Sequence, residues 1–420
     1  MAIADAVVKR GTVTQALVDR HQEIFAREGW LSKYNIERDQ QIELLGNALI
    51  SGVDPLLIGD PGVGKTWLIE LMLRCIEIDP AHQDTALFNY MVFKESSADD
   101  VLGPRSLPAM KEGRIERLTD GFLPTSILAY LDEIFKCSPT MANALLDVMA
   151  QRKLKVGGVT LDLRQLLCIF GSSNELPDRE DLQPFRDRWG VTNVVQSVRT
   201  PEGRKAVMRI QDEYQAAASN VDMTDAPKLT LDEIEQARRE AMAIIVPDVV
   251  IESMDTAIER WSGAGHEPSS RRVGQMLKAM KARAWSRGDS HVTTDDMIVC
   301  QHMAWNHPDH RKSAHDIVME FANVFARKAS RMKEALDPVL AELSDLRNAV
   351  QAEGGEPNEE QLTRAWKVMR ELRGLKKEAN AQINTGHQQG HDTADLEAVL
   401  SEVTQAHKWV EETLTGDDED

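Results

Sequence analysis

The stretch LLIGDPGVGKT, residues 56–66, constrains the fold more tightly than any other part of the chain. An apolar run ends in a glycine-rich loop, and Lys-Thr leads into the helix-like WLIELMLRCI. Gly59, Gly64, Lys65 and Thr66 take the fixed places of G-x-x-x-x-G-K-[ST]. Glycines let the backbone N–H groups of such a loop turn inward around phosphate oxygens. The following helix adds the partial positive charge of its N-terminus, Lys65 reaches the β- and γ-phosphates, and Thr66 ligates Mg²⁺. The motif therefore predicts a nucleoside triphosphate held by Gly59, Asp60, Pro61, Gly62, Val63, Gly64, Lys65, Thr66 and Trp67.

Strand-like runs at 55–59, 86–93, 126–133 and 166–174 alternate with helical patterns. Buried runs separated by amphipathic helices indicate an α/β fold, a parallel sheet covered on both faces. Residues 94–125, rich in glycine and proline, read as an inserted loop or hairpin. KLKVGGVTLDL at 153–163 alternates around Gly157-Gly158 and reads as a second hairpin. From 201 the pattern turns helical. Beyond 309, Leu336, Val339, Leu343, Leu346 and Val350 form one stripe, Leu362, Trp366, Met369 and Leu372 a second, and Leu396, Val399, Val403, Val410 and Leu414 a third. QAEGGEPNEE and NTGHQQGHDTAD separate them, so the helices are expected to fold back as a bundle. The expected partition is an N-terminal helical segment at 1–35, an α/β domain at 36–200, a small all-α domain at 201–308 and a helical arm at 309–420.

A triphosphate loop serves kinases, switches and motors alike, so the remaining strand ends must decide. ILAYLDE closes a buried strand with Asp132 and Glu133. Asp132 is placed to hold the Mg²⁺ shell and Glu133 to act as general base on the attacking water, an acid that a hydrolase needs and a kinase does not. Asn174, after the next strand, can orient that water. Arg188 in LQPFRDRWG and Arg271 in EPSSRRVGQ offer cations for the charge that grows on a transferring phosphoryl group.

Together these stretches resemble the AAA+ ATPases of the MoxR family, and within it the regulatory ATPase variant A branch. The resemblance runs over about 36–308 and rests on GDPGVGKT, VLGPRSLPAMKEGRIERLTDGFLP, LDEIFKCSPTMANALLDVMAQRKLKVGG, SSNELPD, RDRW and SSRRVGQMLKAMKARAWSRG. It implies an ATP- and Mg²⁺-dependent ATPase assembled as a ring, a hexamer, with ATP between subunits. In it Lys65 and Thr66 match the first phosphate motif, Asp132 and Glu133 the second, and Asn174 the first sensor. Arg188 matches the finger that reaches a neighbour's site, and Arg271 the second sensor on the small helical lid. The insertions at 94–125 and 153–163 resemble pore-side elements. The resemblance further implies a von Willebrand factor A-type partner and a protein client, in a chaperone-like or metal-insertion role. The variant A regulator has a β-containing docking domain in its arm; residues 309–420 show no strand pattern, so that particular partner does not carry over.

Composition bears on the alternatives. With 68 acidic against 49 basic residues the formal charge is −19, which argues against a chain whose main work is gripping a phosphate backbone. A DNA-associated AAA+ motor or loader and a nucleotide-dependent scaffold with little turnover stay as alternatives. Cys75, Cys137, Cys168 and Cys300 form no C-x-x-C pair and read as free thiols of a reducing compartment. No apolar run approaches the length of a membrane span and the start lacks a signal-peptide core, so a cytoplasmic, soluble protein is expected. His302, His307, His310 and His315 suggest a metal site by spacing alone; a polar junction is the preferred reading, because Pro308 breaks any common helical face. Trp261, Trp285 and Trp305 are expected in a core, not on a base-stacking surface.

Overall fold

The computed structural model describes residues 11–78, 86–176, 182–216, 221–305, 307–322, 324–352, 357–389 and 393–415. The expectations for residues 1–10 and for the acidic tail 416–420 lie outside them. The strands are β1 (Pro55–Ile58), β2 (Ile76–Glu77), β3 (Leu87–Met91), β4 (Leu128–Asp132), β5 (Lys153–Val156), β6 (Val159–Asp162), β7 (Cys168–Ser173), β8 (Val191–Val194) and β9 (Leu229–Thr230). Five of them form a parallel sheet in the order β3-β4-β7-β1-β8.

Alternation along the strands fills two cores. Leu56, Ile58, Ala129, Leu131 and Ile169 face one side, where helix α4 (Pro139–Gln151) contributes Met141, Leu145 and Val148. Leu57, Leu128, Tyr130 and Phe170 face the other, against helices α2 (Asp39–Ser51) and α3 (Lys65–Arg74). A period of two with both faces buried is what a doubly covered parallel sheet requires. The fifth strand, β8, extends the four expected ones. Its Val191-Thr192-Asn193-Val194 has two polar residues and therefore no apolar run. Both polar side chains are buried, and Asn193 Oδ1 accepts from Gln41 Nε2 at 2.7 Å.

The hairpin at 153–163 forms as β5 and β6, antiparallel across Gly157-Gly158. The 94–125 insertion is more helical than expected: it holds short helices at Ala98–Leu102 and Leu107–Lys111, closed by an antiparallel bridge of Arg105 with Arg117. The helical region contains α5 (Pro201–Ala216), α6 (Leu231–Ala243), α7 (Asp248–Gly263) and α8 (Ser270–Ser286). Trp261, Trp285 and Trp305 are all buried in it.

The chain divides into two compact units, residues 1–292 with 299–315, and 293–298 with 316–420. In the second, helices α9 (Val324–Ala352), α10 (Glu359–Gln389) and α11 (Ala394–Thr415) pack around Leu336, Leu346, Val368, Leu372, Leu396 and Val403. Two details of the expected stripes change. Trp366 is 56% exposed, and Ala365 and Val368 take the inward face in its place. Helix α10 runs on to Gln389, into the expected break, and a Cβ at its Gly386 would meet Thr393 Cγ2 at 2.3 Å. Among the described residues no helix is long and apolar enough to cross a membrane.

Candidate active site

The phosphate loop leaves the C-terminal end of β1 and enters α3. Gly59 lies where a Cβ would stand 2.3 Å from the Val195 carbonyl oxygen. Gly64 caps α3 at φ 90°, a left-handed conformation that glycine adopts without strain. The buried Lys65 ammonium donates to the carbonyls of Gly59 (2.6 Å) and Asp60 (3.0 Å) and to Asn174 Oδ1 (2.9 Å). Burial lowers its pKa, while the charges of Glu133, Asp132 and Asp60 oppose that shift. Trp67 packs edge-on against Tyr214 and donates its Nε1 to the Tyr34 carbonyl at 3.3 Å.

Strand register brings the acids to the loop. Leu131 pairs with Gly171 and Ile58 with Ser173, so the ends of β4, β7 and β1 lie level. Thr66 Oγ1 donates to Asp132 Oδ2 at 3.2 Å. The Tyr130 hydroxyl lies 3.1 Å from Thr66 Oγ1 and 2.9 Å from Ser172 Oγ, and its one proton is donated to one or the other, while Ser172 donates its own proton to Asp132 Oδ1. Tyr130 and Ser172 were not among the residues expected in the site. Their signal was alternation: Tyr130 stands two residues before Asp132, on the same face of the strand. Glu133 follows in a left-handed backbone conformation (φ 53°), which turns it out of the strand, with Lys136 3.5 Å away. One turn along α3, burial and then the charge of Asp132 raise the Glu70 carboxyl pKa. Thr66 and Asp132 together form a hard-oxygen pair in a carboxylate-rich corner, a donor set that fits Mg²⁺.

Beside the loop lies a cleft of about 420 Å³, walled by Tyr34, Ile36, Arg38, Val63, Trp67 and, from α5, Val207 and Met208. Apart from Val63 and Trp67 these are also additions to the sequence-derived set. They come from two separate segments, 34–38 and α5, and carry no local motif.

Arg188 and Arg271 stand elsewhere. Arg188 precedes β8, and Val191 pairs with Pro55 at the start of β1, so Arg188 sits at the N-terminal edge of the sheet. Four residues at about 3.3 Å each put roughly 13 Å of strand between that edge and the loop. Arg271 Nη1 meets Asp187 Oδ2 at 3.3 Å, and Arg272 Nη2 meets Asp187 Oδ1 at 3.3 Å. The buried Arg272 also donates to the carbonyls of Trp189 (2.5 Å) and Gly190 (2.7 Å). Burial and the like charge of Arg271 lower the Arg188 pKa against the pull of Asp187. Arg188 and Arg271 line a second cleft, of about 440 Å³, with Arg152, Arg164, Arg238 and Lys278. Among the described residues neither arginine bonds to the loop, Asp132, Glu133 or Asn174. The structure thus gathers Lys65, Thr66, Asp132, Glu133 and Asn174 at one edge and the two arginines at the other.

The four histidines are engaged separately. His302 Nδ1 lies 3.2 Å from Asn193 Nδ2, His315 Nδ1 lies 2.6 Å from Gln301 Oε1, and His310 stacks on His266 with His307 at its edge. Burial pushes the His302 pKa down to about 3. Among the described residues no group of three or more His, Cys, Asp or Glu is arranged to hold a metal ion.

Comparison with known proteins bears on the family and the fold. Residues 25–238 match the family model described as the MoxR domain in the MoxR-vWA-beta-propeller ternary systems, and 252–318 match an AAA lid domain. An uncharacterized protein of Methanocaldococcus jannaschii is 27% identical over 319 residues, covering 75% of this chain and 80% of the relative. The chaperone MoxR1 of Mycobacterium tuberculosis is 26% identical over 159 residues, 37% of this chain and 39% of its own. The crystal structure of a Cytophaga hutchinsonii protein described as a candidate ATPase superposes with a TM-score of 0.55 at 14% identity. It covers 74% of this chain and 94% of that one, a likeness of fold.

Proposed function

The chain belongs to the MoxR family of AAA+ ATPases, and from that premise we propose that it hydrolyses ATP in a ring of like subunits to remodel or activate a protein client. One observation carries this reading: the loop, both acids and Asn174 converge at one edge of the sheet, while Arg188 and Arg271 lie at the opposite edge. A single subunit holds half of a hydrolytic site at each edge, and a second copy placed edge to edge completes it.

In this site the Gly59–Thr66 backbone and Lys65 bind the phosphates, and the cleft beside Trp67 takes the nucleoside. Asn174 orients a water and Glu133 accepts its proton as it attacks the γ-phosphorus. Arg188 from the neighbour, with Arg271 beside it, neutralises the charge spread over the equatorial oxygens in the transition state. Thr66 and Asp132 would hold Mg²⁺, which screens phosphate charge when bound.

The remaining assignments are part of the proposal. The family's description supports a von Willebrand factor A-domain partner, and the name of the Mycobacterium relative supports a chaperone-like role. Hexameric stoichiometry and the placement near the regulatory ATPase variant A branch rest on the resemblance of the sequence motifs, and a cytoplasmic location on the cysteine usage and the lack of a long apolar run; the four-part division at 35, 200 and 308 rests on the sequence pattern. The experiment that tests the central claim mixes inactive subunits. Arg188→Ala and Lys65→Ala rings each lose turnover, and mixed rings are expected to regain part of it, because some interfaces hold both groups intact. No recovery in rings shown to exchange subunits would mean that Arg188 does not act across an interface.

A further inference from the structure

Glu37 holds a left-handed backbone position (φ 57°) that residues other than glycine adopt only at an energetic cost. Its carboxylate is aimed at the start of α5. Oε2 accepts from the Arg199 N–H at 2.8 Å, and Oε1 accepts from the Thr200 N–H at 3.0 Å and from the Thr200 hydroxyl. Thr200 Oγ1 in turn accepts from the Gly203 N–H at 3.0 Å. One side chain thus secures the whole N-terminal junction of α5, and these donors bring the Glu37 carboxyl down to about 2.

The next residue grips the opposite wall. Arg38 donates to the Val63 carbonyl, inside the phosphate loop, at 3.0 Å, and burial anchors it there. The cleft beside the loop has Arg38, Val63 and Trp67 on one side and Arg204, Val207 and Met208 of α5 on the other. Two consecutive residues therefore bond to its two walls, Arg38 to the loop and Glu37 to the start of α5, beside the Trp67–Tyr214 ring contact that also joins them. Gly203 supplies the space this needs. A Cβ there would come within 2.5 Å of Glu37 Oε1, 2.7 Å of Val198 Cγ1 and 2.8 Å of Thr200 Oγ1.

We infer that Glu37 is a positioning residue for the nucleoside of a bound triphosphate, fixing the α5 wall at the distance the ligand requires. The inference rests on the reading of the loop and cleft as a nucleotide site. The Glu37 carboxylate bonds to the Arg199–Thr200 junction that leads into α5, so it acts on affinity through α5.

The test measures binding of a slowly hydrolysed ATP analogue with Mg²⁺ by calorimetry, beside steady-state hydrolysis and the melting temperature of each variant. Glu37→Ala is expected to raise Kd by about tenfold, with KM rising more than kcat falls. Glu37→Gln, whose amide nitrogen cannot accept from the Arg199 N–H, should fall between, at about threefold. Gly203→Ala gives a sign test. Alanine is the better helix former, so a role confined to helix stability predicts tighter binding. Displacement of the Glu37 carboxylate predicts weaker binding, and little further loss when Glu37→Ala is added. If Glu37→Ala does not fold, the Glu37→Gln and Gly203→Ala results decide. Unchanged Kd in Glu37→Gln and Glu37→Ala, or tighter binding in Gly203→Ala, would overturn the inference alone. A parent chain that binds no nucleotide would overturn the nucleotide reading and this inference with it.

Discussion

At the C-terminal ends of β1, β4 and β7, one buried lysine faces Asp60, Asp132 and Glu133. At the N-terminal end of β8 the balance is reversed: Arg188, Arg271 and Arg272 surround Asp187, and Arg152, Arg238 and Lys278 line the same cleft. The first edge is built to take a polyanion and a hard cation together. In the proposed mechanism the second meets a charge that arrives from a neighbouring copy. At the base of the second edge Arg152 and Asp54 form a two-point ion pair with N–O distances of 2.6 and 3.0 Å. On the proposed mechanism, the contrast teaches that the motifs of one reaction can be distributed over a fold so that no single copy contains all of them. Each variant below strains one edge and asks whether the other responds.

The largest effect is expected at the acidic edge. Glu133→Gln removes the base and leaves the phosphate cradle, so kcat should fall by at least about 10²-fold while nucleotide affinity changes by less than about threefold. Bound nucleotide and turnover have to be measured on the same preparation. Turnover within a few-fold of the parent would show that another group activates the water, and the acidic edge would lose its catalytic standing.

That edge was also the more legible one. The phosphate loop is contiguous, its spacing is fixed by the phosphates it wraps, and the strand before it and helix after it can be read from neighbouring residues. Asp132 and Glu133 end an apolar run and are legible for the same reason. The arginines were recognisable as residues, but their position depends on β8, whose polar Thr192 and Asn193 hide it from any search for apolar runs. Only the pairing of Pro55 with Val191 reveals that Arg188 lies at the far end of the sheet from its own loop. Tyr130 and Ser172 escaped because their roles arise from register between strands 42 positions apart. In the helical unit the error ran the other way. A large aromatic, Trp366, was placed inside, and the small Ala365 that packs there was overlooked.

A middle-sized effect tests how the acidic edge holds its cation. Tyr130→Phe removes a hydroxyl that links Thr66 to Ser172 and, through it, to Asp132. The ring stays in the core, so the fold should survive. The Mg²⁺ concentration for half-maximal hydrolysis is expected to rise about fivefold, an effect of roughly 1 kcal/mol, the size of one hydrogen bond. Hydrolysis at saturating Mg²⁺ should recover to near the parent rate. A lower rate that extra Mg²⁺ does not restore would assign the hydroxyl to catalysis instead of cation placement.

The smallest effect belongs to the basic edge and concerns Asp187. Its carboxylate bonds to Arg271 on one oxygen and Arg272 on the other, with Arg188 at 4.0 Å. Arg272 is buried and has the Trp189 and Gly190 carbonyls besides, so it stays in place without the acid. Arg271 is 44% exposed at its side chain, and Asp187 is what aims it. Asp187→Asn keeps the shape and removes the charge, and exposed ion pairs of this kind are worth at most about 1 kcal/mol. The expected result is a fall in kcat of about threefold, with no change in the affinity of a subunit's own loop for nucleotide, because the two edges are separated by the length of β1. The same substitution placed in a Lys65→Ala subunit sharpens the point. In rings mixed with Arg188→Ala subunits, the recovered turnover should be lower when the Lys65→Ala partner also carries Asp187→Asn, since that partner supplies the working arginines. Equal recovery with and without Asp187→Asn would mean that Arg271 finds its place across the interface without the carboxylate, and that the acid serves the basic edge only within its own subunit.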